Sequence, residues 1–286
     1  MPPIVYGLVL CGAVCNAGAT ILIRRGLRDS SPYTGVWINL AVGTGLLWVA
    51  VLVTGSLESV GGRGVAYFAA AGLVGTLAGR LFRFVAIEKV GAAVAAAVIN
   101  LNPFISTGLA ILVLDERVTF AILTGTVVIV AGTILLSTSG RQIGFRPIQL
   151  LIPFLSASCF GVVAILRKLG LSQTGPVLGF AVNVTTGLLV FTLFLVISGN
   201  REVMVCRGRS LVHFVAAGFA ENAGVFMTLV ALKLGTVSVV APISAAAPIF
   251  VLPLSMLFLR GIERLTARVV AGTLLVVFGV FLITAG

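Results

Sequence analysis

The stretch from Gly91 to Thr119, GAAVAAAVINLNPFISTGLAILVLDERVT, returns in altered form between Gly235 and Thr266 as GTVSVVAPISAAAPIFVLPLSMLFLRGIERLT. Each copy is an apolar run of helical length. Each is interrupted by proline and polar residues and ends in an acidic-basic cluster. A chain that repeats such a pattern is narrowly constrained. Lipid must solvate the apolar faces, and the interruptions must meet inside a bundle built from the repeat.

Composition supports that reading. Of 286 residues, 59% are hydrophobic and 9% charged, with a mean hydropathy of +1.20. Soluble domains carry about 25% charged residues. One soluble core could not hold so much apolar sequence. A helix needs about 20 residues to cross about 30 Å of hydrocarbon. The short alternating runs of a membrane barrel are absent. The net charge of +11 is spread between apolar runs, one to three basic residues at a time. That pattern anchors and orients spans; it does not build a nucleic-acid surface. Cys11 and Cys15 share a helix face, but with His213 the one histidine of the chain no metal-ligand set is completed. No metal or cofactor is expected. The first apolar run lacks a small-residue cleavage site and reads as a span.

Ten spans are predicted, at roughly 4–23, 33–54, 65–87, 90–114, 118–138, 148–166, 175–198, 211–232, 236–259 and 265–285. The first five correspond to the last five. Ile21-Leu22-Ile23-Arg24-Arg25 echoes Ala164-Ile165-Leu166-Arg167-Lys168, and Asn39 echoes Asn183. Lys89-Val90-Gly91 matches Lys233-Leu234-Gly235, and Pro103 matches Pro248. Gly125 and Gly132 match Gly272 and Gly279. Five spans is an odd number, so the second copy enters from the opposite side. The expected fold is an all-α membrane protein of ten transmembrane helices, arranged as two inverted five-helix repeats over residues 1–140 and 146–286. Such repeats place a pseudo-two-fold axis in the membrane plane and a site near its middle.

Pro103 within span 4, the link Asp115-Glu116-Arg117-Val118-Thr119 and its counterpart Gly261-Ile262-Glu263-Arg264-Leu265-Thr266 carry a family resemblance. The chain resembles the ten-span, two-repeat EamA-type members of the drug/metabolite transporter superfamily. Their usual link reads Gly-Glu-x-Leu/Pro-Thr. Here the first copy has Asp in the glycine place, and the second has one extra residue between Gly and Glu. The resemblance implies a central cavity lined by spans 1, 3, 4, 6, 8 and 9, with spans 5 and 10 at the periphery.

Ionisable residues inside spans are expensive and become site candidates by default. Glu221 stands in the middle of span 8 beside Asn222, where a carboxylate suits proton or cation binding. Its structural alternative is pairing with a buried arginine. Arg80 and Arg83 share a face of span 3. Arg80 is placed to pair with Glu221 or to receive an anionic substrate, and Arg83 to bind or to snorkel. Asn100 and Asn102 precede Pro103, whose ring strains the helix around residue 99 and exposes a carbonyl. Pro242, Ser244, Pro248 and Pro253 interrupt span 9 similarly. Asn16, Ser156 and Ser158 are weaker candidates, since small polar groups often bond their own backbone. The carboxylates of Asp115-Glu116 and Glu263 are read as caps of spans 5 and 10.

The expected activity is secondary transport of a small polar or amphipathic metabolite, such as an amino acid or drug-like compound, by alternating access. A channel or lipid-linked-substrate flippase is the alternative. An intramembrane enzyme lacks its constellation of paired carboxylates, metal ligands or activated nucleophile, so no catalytic residue is assigned. The chain has no phosphate-loop motif, which argues against direct nucleotide drive. Protons, membrane lipid and a second copy of the chain are candidate partners beside the substrate. The plasma (cell inner) membrane is the expected location. Basic residues favour the links after odd-numbered spans, which puts both termini outside, whereas the resemblance implies cytoplasmic termini.

Overall fold

Prolines set several helix starts. Pro3, Pro32 and Pro176 occupy the first helical position, where a missing N–H costs nothing. Ser31 caps the second helix by accepting the Thr34 N–H at 3.2 Å. The computed structural model describes residues 2–56, 62–90, 95, 98–137, 146–247, 249–250 and 267–285. Within them we number the helices α1 (Pro3–Gly26), α2 (Pro32–Thr54), α3 (Gly62–Val90), α4 (Asn102–Leu114), α5 (Phe120–Ser137), α6 (Leu151–Leu171), α7 (Pro176–Ile197), α8 (Arg209–Leu234), α9 (Val237–Ser244) and α10 (Ala267–Ala285). Six of these, α1 to α3 and α6 to α8, are long and apolar enough to cross a membrane. Large apolar side chains point outward, Val53 and Phe120 each at 81% exposure, as expected of faces that lipid covers.

The packing is symmetric. Helix α1 lies against α8 and α6 against α3, while α2 faces α7 and α5 faces α10. Exchanging the two repeats turns the first pair into the second and leaves the others unchanged. The contacts between α5 and α10 fix the sense of the symmetry. A Cβ added to Gly125 would lie 2.8 Å from the Gly279 carbonyl oxygen, and one added to Gly132 would lie 2.8 Å from that of Gly272. Residue numbers rise on one helix as they fall on the other, so equivalent helices run antiparallel. The repeats are therefore inverted. Helices α2 and α7 agree: Trp37 Nε1 donates to Thr192 Oγ1 at 3.0 Å, and Trp48 Nε1 to Thr185 Oγ1 at 2.9 Å.

Three expectations change. Span 4 is not one helix with Pro103 at its middle. Asn100 and Leu101 form a turn, and Pro103 sits in the first turn of α4. The carbonyl of Ile99, which has no Pro103 N–H to accept, takes the Asn102 Nδ2 donor at 3.0 Å. The exposed carbonyl expected there is already bonded. Span 9 is likewise broken, with α9 ending at Ser244 and turns following. Glu116 does not cap α5. Its Oε1 accepts the Val237 N–H at 2.9 Å and its Oε2 the Ser238 N–H at 3.0 Å, so it caps α9 of the other repeat. Asp115 makes this reach possible with φ at 51°, a left-handed conformation that glycine or Asp tolerates best. Lys168 donates to the carbonyls of Leu232 at 2.9 Å and of Gly235 at the C-terminus of α8. The α8–α9 corner is thus held by an anion at a helix start and a cation at a helix end. Pro248, Pro253 and the segment 260–266, with Glu263, lie outside the described residues.

Candidate functional site

Glu221 and Asn222 sit on the buried face of α8, opposite α2 and α3. Glu221 is 2% exposed. Its Oε1 lies 2.8 Å from Arg83 Nη1 and 3.5 Å from Arg80 Nε. Its Oε2 accepts Asn39 Nδ2 at 2.9 Å. Arg80 continues the network by donating through Nη1 to Asn39 Oδ1 and through Nη2 to Asn222 Oδ1 at 3.1 Å. Asn222 donates to the carbonyls of Asn39 at 3.3 Å and Gly218 at 2.8 Å. Arg83 also donates to Thr20 Oγ1 on α1 at 2.7 Å. Four helices, three from the first repeat and one from the second, are therefore joined in one network around the Glu221 carboxylate.

The local structure of α3 aims these arginines. Gly72–Gly79 is a π-helical stretch, with i→i+5 bonding in place of i→i+4. Gly72 faces Asn183 as Gly218 faces Asn39. From Gly72 to Lys89 is 17 residues, but from Gly218 to Lys233 only 15. The wide turns absorb the surplus and carry Arg80 and Arg83 around to α8. Neither arginine has a charged counterpart on α8.

A second polar cluster lies across the pseudo-two-fold axis. Thr76 donates to Asn183 Oδ1, and Arg167 Nη2 donates to Asn183 Oδ1 at 3.2 Å and to Thr76 Oγ1 at 3.3 Å. Asn183 Nδ2 donates to the Phe68 carbonyl at 3.2 Å. The Arg167 guanidinium stands 5.5 Å over the Phe180 ring. Thr76 is one turn from Arg80, so α3 carries polar groups from one cluster to the other.

The sequence-predicted residues divide. Glu221, Asn222, Arg80 and Arg83 come together. Asn100 lies in the turn before α4, its Nδ2 buried without a hydrogen-bond partner among the described residues, as is Thr107 Oγ1 on α4. Asn102 is used on the Ile99 carbonyl, Pro103 starts the helix beside it, and Ser244 Oγ donates to its own Val240 carbonyl at 2.8 Å. The Asn16 carbonyl accepts the Thr20 hydroxyl at 2.8 Å. Ser156 Oγ binds the Gly79 carbonyl at 2.8 Å, joining α6 to α3. Five network members escaped the site prediction: Asn39, Thr20, Thr76, Asn183 and Arg167. The echo of Asn39 in Asn183 was the signal that could have found two of them. Among the described residues, no group of three His, Cys, Asp or Glu side chains could hold a metal.

Inverted helical repeats joined by a buried ionic network define a membrane protein of transporter architecture. A family model described as the EamA-like transporter family matches residues 3–138 and again 147–285. The chain belongs to that family, within the drug/metabolite transporter superfamily. A solved crystal structure shares the fold at 20% identity, with a TM-score of 0.79, covering 98% of this chain and 96% of its own. No curated protein gives a significant match.

Proposed function

We propose that the protein is a secondary transporter of a small polar or amphipathic metabolite, with all ten helices in the membrane. The observation that supports this reading most is the position of Glu221. It is a buried carboxylate bound by two arginines and an asparagine of the opposite repeat, so any motion between repeats must rearrange its bonds. Alternating access requires such a motion. The network holds two guanidinia against one carboxylate, and a proton or a substrate group arriving at Glu221 changes which contacts are worth keeping. That exchange couples binding to movement. Broken segments around Asn100–Asn102 and after Ser244 supply polar groups from α4 and α9. Asn100 Nδ2 and Thr107 Oγ1, buried and without a hydrogen-bond partner among the described residues, are groups that a substrate could satisfy.

The test is uptake of a metabolite panel by proteoliposomes, with and without a proton gradient. Gradient-dependent uptake that Glu221→Gln uncouples supports the reading. Uptake and pH dependence unchanged in Glu221→Gln sinks the role given to that residue. Downhill flux with no saturation and no coupling would favour a channel.

A further inference from the structure

The pseudo-two-fold axis relates Asn39 to Asn183, and each asparagine accepts from an arginine, Arg80 of α3 in one case and Arg167 of α6 in the other. In the first, Arg80 donates to Asn39 Oδ1, and Asn39 Nδ2 donates to Glu221 at 2.9 Å. In the second, Arg167 donates to Asn183 Oδ1 at 3.2 Å, but Asn183 Nδ2 meets the Phe68 backbone carbonyl at 3.2 Å. The first unit has a carboxylate; among the described residues the second has none. The reason is steric. The asparagine contacts align Thr76 with Asn222, so Gly75 takes the place of Glu221. A Cβ on Gly75 would lie 2.3 Å from Val163 Cγ2. A side chain at that position would have to displace Val163.

Arg167 is left with unused donors. Both of its protein hydrogen bonds among the described residues come from Nη2. Its Nε is buried and has no hydrogen-bond partner among the described residues. Among the described residues no carboxylate pairs with it, and the neighbouring cluster of Arg80, Arg83 and Glu221 is itself net positive. A guanidinium held this way in a low-dielectric bundle is costly until an anion arrives. Its planar fork suits an oxyanion such as a carboxylate or phosphate. Thr76 and Asn183 fix its position from one side, and the Phe180 ring covers a face.

We propose that Arg167, held by Thr76 and Asn183, is an anion-binding position, and that its ligand is a small soluble organic anion. That this anion is the transported substrate rests on the transport reading above; that it binds does not.

The experiment follows the thermal unfolding midpoint of the full chain in neutral detergent, at constant ionic strength. The probes are benzoate, acetate and methyl phosphate, with benzamide and benzylamine as neutral and cationic analogues. At least one anion raises the midpoint with saturation, the neutral and cationic analogues do not, and Arg167→Gln weakens the apparent Kd by tenfold or more. Arg167→Lys retains part of the effect, and Arg24→Gln, in the equivalent place of the first repeat, retains it all. Should Arg167→Gln fail to fold, Arg167→Lys and Thr76→Val carry the test, each weakening the anion several-fold. Equal shifts with benzamide or benzylamine, an anion shift indifferent to these variants, or no shift with any anion overturns the proposal. So does an Arg167-dependent shift produced by phosphatidylglycerol in phosphatidylcholine nanodiscs but by no soluble anion. Arg167-dependent binding in a protein whose proteoliposomes transport nothing leaves the anion site standing and removes the transport reading. Transport of neutral metabolites at full rate, in an Arg167→Gln variant that binds no anion differently from the parent, does the reverse.

Discussion

Arg83 and Glu221 meet at 2.8 Å between α3 of one repeat and α8 of the other, and Arg80 approaches the same carboxylate oxygen at 3.5 Å. The partners are not equivalent. Glu221 is the one carboxylate of the cluster, whereas loss of either arginine still leaves that carboxylate a cationic partner. Breaking a buried pair by removing one member costs about 3–5 kcal/mol, chiefly through the charge left behind.

Glu221→Gln is therefore expected to be the most destabilising single change in the cluster, because it strands two guanidinia. Arg83→Gln costs less, since Arg80 and Asn39 still hold the carboxylate. Combining Glu221→Gln with Arg83→Gln should recover about 1–3 kcal/mol relative to the sum of the singles. Midpoints of thermal unfolding in detergent measure all three. A Glu221→Gln variant no less stable than Arg83→Gln contradicts the argument.

The Glu116 carboxylate joins the loop after α4 to the start of α9 in the other repeat. Glu116→Ala removes both acceptors of the Val237 and Ser238 N–H groups and should cost about 0.5–2 kcal/mol. The loss is local, so amide hydrogen exchange at residues 237–240 is the sharper readout. Faster exchange there than at the start of α7 is expected. Uniform acceleration throughout the chain would mean that Glu116 does something other than cap α9.

Trp48 and Trp37 pin α2 to α7 through threonine hydroxyls. Replacing Trp48 with Phe keeps most of the apolar contact but strands Thr185 Oγ1, at a cost of about 1 kcal/mol. Thr185→Val in the same chain should return part of it, because both partners are then apolar. Failure of the double variant to recover any stability would show that ring volume, not the hydrogen bond, holds the helices.

Much of this was legible in the sequence, and the reasons are physical. Apolar runs and their repetition report the bilayer directly. Glu221, Arg80 and Arg83 stand out because charge inside a span is rare. Asn39, Asn183, Thr20 and Thr76 do not, since neutral amides and hydroxyls occur in spans for local reasons. Their value comes from partners 16 to 182 residues away. Arg167 reads as a span-end basic residue until α6 and α7 are docked. Glu116 misled for the same cause: its caps lie 121 and 122 residues on. The Ile99 carbonyl reads as free from the Pro103 ring alone, but a side chain three residues on, Asn102, is the group that takes it.

The antiparallel crossing of α5 and α10 gives the inverted architecture its most direct test. Backbones approach closely at Gly125 with Gly279 and at Gly132 with Gly272. Cysteines introduced at 125 with 279, or at 132 with 272, should cross-link readily in membranes under mild oxidation. Cysteines at 125 with 272, which a parallel arrangement would juxtapose, should not. Bulk belongs to the same argument. Gly125→Leu must displace Ile283 and the Gly279 carbonyl, so it should cost about 1–3 kcal/mol. Gly18→Ala on α1 meets nothing within 4 Å and should be neutral or stabilise by up to about 1 kcal/mol. Cross-linking at 125 with 272 in preference to 125 with 279 would overturn the antiparallel sense, and with it the inversion of the repeats.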